Sequence, residues 1–186
     1  VFPWATSLII QAGVWKFIID KDYGALNTLL MKIGLISSPV NWTPTPGAYF
    51  AWEIFVGIFV TVPFVTFCVL SGLQSIDNSY YEAATVDGAN YWQKLFKITL
   101  PLVKSSLTVS TVLNIIYVFN SFPIIWTITK GDPASRTDTL VTYLYKLAFY
   151  KGKSGEAAAV SVIGFLILCI CASVYMVLSL RKEDED

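Results

Sequence analysis

The sequence predicts an all-α protein, a polytopic bundle of membrane-spanning helices, and three observations carry that prediction. Apolar residues make up 55% of the 186 and charged residues only 14%, against about 25% charged in an average soluble chain. Mean hydropathy is +0.60, so too little polar surface remains to solvate a globule of this size. Second, a bilayer core of about 30 Å takes about 20 residues of helix, and four runs qualify as spans: residues 1–19, 48–73, 102–128 and 157–180. Third, their charges lie near their ends. Lys16 and Glu53 sit close to the ends of the first two, Lys104 at the start of the third, and the fourth has none. A charge at mid-bilayer costs about 2.5 to 3.5 kcal/mol on insertion scales, so this is the distribution expected of spans.

Composition also excludes function classes. Thirteen Lys and Arg balance thirteen Asp and Glu, which removes the basic excess of a nucleic-acid binder. The absence of histidine excludes Ser/His and Cys/His catalysis and any His-ligated metal. No catalytic residue, metal ligand set or cofactor site is expected. Cys68, Cys169 and Cys171 lie within apolar runs and read as small packing groups. The chain opens at Val1 with no charged leader before its first apolar run, and reads as a fragment of a longer protein.

Asp20 and Asp22 after the first span, like Glu183 to Asp186 at the terminus, read as solvated ends. Leu26, Leu29, Leu30 and Ile33 form an i, i+3, i+4, i+7 stripe with Asn27, Thr28 and Lys32 off it, which predicts an amphipathic helix on the membrane surface or on a neighbour. The proline-rich residues 37–47 read as a rigid irregular loop. Pro63 falls in mid-span and marks a site for a kink. In residues 129–155, Leu140, Tyr143, Leu144 and Leu147 predict a second short helix. Gly152-Lys153-Ser154 resembles the end of a P-loop, but Leu147 stands where the first glycine belongs and no strand precedes it.

Four spans put both ends of the fragment, and the segment between spans two and three, on one side. That shared side carries Lys94, Lys97, Lys104, Arg181 and Lys182; the other carries Lys16, Lys21, Lys32, Lys130, Arg136, Lys146, Lys151 and Lys153. Five against eight would place the shared side outside.

In the segment between spans two and three, residues 74–101, Ser79 and Glu82 have capping-box spacing, and so do Asn90 and Gln93. Two short helices are expected, with Gly88 ending the first in the left-handed conformation. Trp92, Leu95 and Phe96 give the second an apolar face, and Pro101 suits the first turn of the next helix. The product is a helix-turn-helix outside the bilayer, rigidly continuous with span three.

Glu82-Ala83-Ala84, three residues, Gly88, nine residues and then Ile98-Thr99-Leu100-Pro101 resembles the EAA signature of permease subunits of binding-protein-dependent ABC importers. Tyr81, Asp87 and Trp92-Gln93 are most similar to the carbohydrate-uptake group, as are Pro3-Trp4, Asp22-Tyr23-Gly24 to Asn27, Gly72 to Ile76 and Ala148-Phe149. Two positions depart from the group: Asp77 replaces a proline, and Gly131-Asp132-Pro133 replaces Gly-Gly-Pro. The resemblance implies a type I importer permease fold, with two further spans before Val1. It implies a cytoplasmic EAA segment docked in a cleft of a separate ATP-hydrolysing subunit, which sets it against the Lys/Arg count. Tyr81, Glu82, Ala83, Ala84, Asp87, Gly88, Ile98, Leu100 and Pro101 would carry that coupling. The implied partners are an ATPase dimer, a second EAA permease, a periplasmic or lipid-anchored solute-binding protein and a sugar substrate, in a bacterial cytoplasmic membrane. The chain itself would be no enzyme.

From spacing alone, Glu82 is also the capping partner of Ser79, and Ala83 and Ala84 are ordinary helix formers. Along span three Thr111, Asn114, Tyr117 and Ser121 make a polar stripe, which reads either as glue between helices or as a sugar-binding face. Gln11 and the Thr61, Phe64 pair would join that pathway under the family arrangement. An ion channel or secondary transporter would concentrate ionisable groups inside the membrane, and a non-transporting scaffold would need neither stripe nor EAA segment.

Overall fold

The computed structural model describes residues 6–181, and among these it is helical, with no strand. The all-α prediction holds. The helices, in order, are α1 (Leu8–Ile18), α2 (Ala25–Lys32), α3 (Pro46–Gln74), α4 (Asn78–Val86), α5 (Tyr91–Leu102), α6 (Lys104–Phe119), α7 (Phe122–Ile128), α8 (Leu140–Tyr145) and α9 (Ser154–Arg181). Wider π-helical turns occupy Leu95–Thr99 within α5 and Lys146–Tyr150 directly after α8. The chain forms two compact units, residues 1–60 with 118–168 and residues 61–117 with 169–186.

In the first unit α1 and α7 pack together beside the first half of α3. Ala12, Val56, Val60, Ile124 and Ile128 form the buried core, with Leu8, Trp15 and Tyr49 against it. Val56 with Val60 and Ile124 with Ile128 are i, i+4 pairs, which fall on one helix face. The Trp15 ring meets Phe55 and Phe59 nearly edge-on at centroid distances of 5.0 and 5.2 Å. Lipid is as apolar as these side chains, so such a core is held by close packing more than by removal from water. For the same reason α9 presents Val162, Phe165, Ile170 and Leu178 outward, each more than half exposed.

Helices α3 and α9 are each long and apolar enough to cross a membrane. The stretch expected as a third span is divided. Tyr91–Leu102 and Lys104–Phe119 are bent by 61° where they meet, and count as a crossing only if taken together. The chain then leaves the helix after Phe119 and restarts it at Phe122, with Pro123 in the first turn. Pro123 has no N–H to give to the carbonyl of residue 119, and the first turn of a new helix is where that lack costs least. By contrast α3 runs through Pro63 unbroken. The described part of the first expected span is α1, 11 residues long, shorter than a crossing; Pro3-Trp4 and Glu183 to Asp186 lie outside the described residues. Cys169 and Cys171 are exposed on α9 and do not pack inside this chain.

The helix expected at residues 26–33 is present as Ala25–Lys32. Leu29 and Ile33 are exposed, whereas Asn27 is 1% exposed. The Asn27 amide nitrogen donates to the carbonyls of Lys21 and Val40 at 2.9 Å each. Its oxygen accepts from Val40 N at 3.2 Å and Trp42 Nε1 at 3.0 Å. The amide thus satisfies the loops on both sides of its helix, while Leu29 and Ile33 are left for lipid or a neighbour to cover. Replacing Asn27 with Leu strands those four groups. We expect a loss of about 2 to 4 kcal/mol, read as a clearly lower melting temperature in detergent, while Thr28→Ala on the exposed side shifts it little.

Candidate functional site

The second unit contains the segment singled out from sequence, and its local geometry comes from caps. Helix α4 starts at Asp77, whose carboxylate accepts from Ser79 N at 2.8 Å. This corrects the expected Ser79/Glu82 capping box. Asp77 stands extended just before the helix, and a carboxylate is a stronger acceptor than a hydroxyl; Glu82 is thereby left in mid-helix, facing solvent. The Ser79 backbone N–H, and then its hydroxyl, hold the Asp77 carboxyl below the usual carboxylate range.

The end of α4 matches expectation. Gly88 takes φ +74°, a value that L side chains rarely adopt. Around it Ala89 N donates to Ala84 O at 2.9 Å and Gly88 N to Thr85 O at 3.1 Å, which satisfies carbonyls of the last turn. Helix α5 then opens on the reciprocal box read from sequence: Asn90 Oδ1 accepts from Gln93 N at 2.9 Å and Gln93 Oε1 from Asn90 N at 2.8 Å.

Two ties clamp the helices together. The Tyr81 and Thr99 hydroxyls are 3.0 Å apart, and Lys94 Nζ donates to Thr85 Oγ1 at 2.7 Å. Past Pro101 the chain bends at the buried Val103, so the continuation into span three runs through an angled joint. At that joint α3 comes close to α6, since a Cβ on Gly72 would stand 2.6 Å from Ser106 Oγ and 3.5 Å from Val103 Cγ1. No larger residue fits there without displacement.

Glu82, Ala83, Asp87, Gly88, Leu100 and Pro101 are exposed, Tyr81 and Ile98 are half-buried, and Ala84 is buried. Only Ala83 of the pair can therefore meet a partner closely. Among the described residues Glu82 forms no ion pair. In the same segment the structure shows a feature that sequence reasoning missed: Val86, Tyr91, Trp92 and Phe96 are 61 to 88% exposed, with Trp92 and Phe96 stacked at 6.2 Å. The i, i+3, i+4 spacing identified the apolar face of α5 but carried no signal of whether it faces inward or outward.

The candidate pathway residues divide between the units. In the first, Gln11 is buried and its Nε2 donates to Thr6 O at 3.1 Å, and Ser121 stands at the start of α7. In the second, Thr61 and Phe64 flank Pro63 half-buried. Thr111 Oγ1 donates to Leu107 O at 2.7 Å and Asn114 Nδ2 to Ser110 O at 3.0 Å, each on its own helix, while Tyr117 is 42% exposed. Among the described residues no group of three or more His, Cys, Asp or Glu is placed to hold a metal ion.

Residues 2–182 match the family described as the inner membrane component of binding-protein-dependent transport systems. The chain belongs to this family. It is thus a multi-pass inner-membrane transport component. A probable ABC transporter permease protein of Brucella suis biovar 1 is 48% identical over 98% of this chain and 63% of its own length. The trehalose/maltose transport system permease protein MalF of Thermococcus litoralis is 34% identical over 99% of this chain and 61% of its own. Among solved structures, a bacterial ABC transporter involved in import of the acidic polysaccharide alginate superposes with a TM-score of 0.84 at 25% identity, over 97% of this chain and 63% of that one. The chain therefore spans less than two thirds of the length of these relatives.

The Asp77 cap gives a signed pH prediction. A carboxyl whose folded pKa is depressed adds stability that is fully present above its unfolded value, about 3.9, and is lost as pH falls through the folded value. The melting temperature of Asp77→Ala should lie below the parent's near neutral pH and converge with it below about pH 4, whereas Asp77→Asn, still a good cap, should show no such convergence.

Proposed function

We propose that this chain is the permease part of an ATP-driven importer that carries a sugar or sugar derivative across the bacterial cytoplasmic membrane. In this reading the α4–α5 body lies in the cytoplasm and docks into a separate ATPase subunit. The observation that carries the proposal is the body itself. It is capped at both helix starts, tied twice across its middle, and presents Glu82, Ala83 and a stacked ring pair to the outside. Such a part is suited to transmit force, and exposed aromatic rings on the same body as an exposed carboxylate suit a protein partner. Family membership adds a solute-binding protein, and relatives named for trehalose/maltose, sulfoquinovosyl glycerol and diacetylchitobiose transport point to sugars.

The mechanism is mechanical. Closure of the ATPase dimer on ATP moves the docked body, and the tight contact of Gly72 with Ser106 carries that motion to α3 and α6 together. Sugar hydroxyls would meet Gln11, Thr61, Asn114 and Ser121, and the apolar faces of sugar rings would meet Phe64 and Tyr117. A second EAA permease completes the path.

Gly88→Pro removes the turn and Glu82→Lys reverses charge at the contact, so both should lose co-purification with the ATPase subunit while still inserting in the membrane. Undiminished binding by both contradicts the docking surface. Asn114→Leu should keep that association and lower apparent sugar affinity by several fold, the worth of one hydrogen bond of about 0.5 to 1.5 kcal/mol.

A further inference from the structure

The loop from Thr129 to Thr139 is joined to α3 by a chain of oxygens in the interior. Thr129 Oγ1 lies 2.6 Å from Glu53 Oε1, Thr137 Oγ1 lies 2.9 Å from Thr129 Oγ1, and the carbonyl oxygen of Asp132 lies 2.9 Å from Thr137 Oγ1. Gly131 N also donates to Thr129 Oγ1, at 3.0 Å. Thr137 is fully buried and Glu53 is 5% exposed. In the same loop Lys130, Ala134 and Ser135 hold φ between 54 and 57°, a region that side chains disfavour and that persists where the surroundings over-determine it.

Oxygens at these distances are joined by O–H···O bonds, and each such bond needs one hydrogen. A threonine hydroxyl has one to give, whereas a backbone carbonyl and a carboxylate have none. Two hydroxyl hydrogens cannot serve three contacts. With Glu53 ionised, Thr129 turns its hydrogen to the carboxylate, and Thr137 must leave either Thr129 or the Asp132 carbonyl without one. With Glu53 as a neutral acid the deficit disappears. Glu53 then donates to Thr129, Thr129 to Thr137 and Thr137 to the Asp132 carbonyl, so each hydroxyl gives one hydrogen and takes one.

The charges on the neighbouring elements favour the same state. Lys146 Nζ pairs with Asp138 Oδ2 at 3.0 Å, Lys16 Nζ of α1 donates to the carbonyl of Thr127 at 3.1 Å, and Lys130, Asp132 and Arg136 are exposed on the loop. Among the described residues, then, no cation pairs with Glu53. Its second oxygen, Oε2, is buried with no hydrogen-bond partner there. That condition is costly for an ionised carboxylate and much less so for the carbonyl oxygen of an acid. Asp138 Oδ1 is likewise unpartnered, but that carboxylate has Lys146 beside it.

We propose that Glu53 is a neutral carboxylic acid at neutral pH and that its proton is the latch of the 129–139 loop. Loss of the proton reverses the Thr129 hydroxyl and leaves one contact of the chain without a hydrogen, which loosens the loop from α3 while both helices stay folded. The latch is therefore closed at low pH and opens as pH rises. It stands whether or not the chain serves an importer. Glu53→Gln keeps an N–H donor for Thr129 and a bare carbonyl oxygen, and so mimics the neutral acid; Glu53→Leu and Thr129→Val each break the chain.

The test uses the full-length permease in an alkyl maltoside, a detergent with no ester carbonyl. Infrared spectra are read for the carbonyl stretch of a protonated carboxyl group, and hydrogen exchange is followed by mass spectrometry. At neutral pH the parent should show a protonated-carboxyl band that Glu53→Gln lacks. Amides of residues 131–137 should exchange about five- to tenfold faster in Glu53→Leu and Thr129→Val than in the parent, and within about twofold of it in Glu53→Gln. Raising the pH until the band disappears should speed those amides in the parent relative to Glu53→Gln at the same pH. A parent spectrum without the band at neutral pH overturns the neutral acid. Exchange as fast in Glu53→Gln as in Glu53→Leu overturns the donor role. The latch is overturned by unchanged exchange in both Glu53→Leu and Thr129→Val, by exchange that rises equally in α1 and α9, or by a parent that still matches Glu53→Gln once the band has gone.

Discussion

A polar group carried into an apolar interior must find its partner within the chain, and that constraint organises both units. It dictates helices, which close their own backbone hydrogen bonds. It also bears on where several of the few buried polar side chains go, because they tie loops or helix ends that would otherwise leave donors or acceptors bare. Asn27 ties the loops on either side of α2. The Glu53, Thr129 and Thr137 chain ties the loop after α7 to α3. Nearer the surface, half-buried Tyr81 with Thr99 and Lys94 with the exposed Thr85 tie α4 to α5. With only 14% of residues charged, few side chains are available for such ties, and those present recur at the places where geometry has to be held.

How much of this was legible in the sequence depends on the range of each interaction. Local signals read correctly: the Asn90 and Gln93 box, the left-handed Gly88 and the long apolar helices depend on residues within a few positions of one another. Competition between neighbours was harder. Asp77 displaced Ser79 as the cap because a carboxylate two positions earlier is the better acceptor, a choice that spacing alone leaves open. Long-range partners were invisible. Nothing in the stripe of leucines announces that Asn27 will meet Trp42, and Glu53 read as a charge near a helix end until its partner 76 residues away was in view. Periodicity likewise identified the Trp92 and Phe96 face without telling which way it turns, since a membrane protein can leave rings bare for lipid or for a partner. The candidate pathway residues were read by resemblance and from one polar stripe, and the break between Phe119 and Phe122 sets Ser121 apart from the helix that carries Asn114 and Tyr117.

Two pieces stand out, each built around a turn of left-handed backbone conformation. The α4–α5 body turns on Gly88 and shows rings and a carboxylate; the 129–139 loop turns on left-handed Lys130, Ala134 and Ser135 and shows mixed charge. Their surface chemistries differ accordingly. The Lys and Arg distribution argues the reverse orientation. That count is made on a chain spanning less than two thirds of its relatives' length, and in a longer protein charges outside that stretch also bear on topology.

Sidedness is therefore the measurement that bears most directly on the account. Single cysteines at Ser135 and at Asn90, in a background with Cys68, Cys169 and Cys171 replaced, are exposed to an impermeant thiol reagent in intact cells and again after permeabilisation. The account requires Ser135→Cys to label in intact cells and Asn90→Cys to label only once the membrane is opened. Labelling of Asn90→Cys from outside, with Ser135→Cys protected, would contradict it.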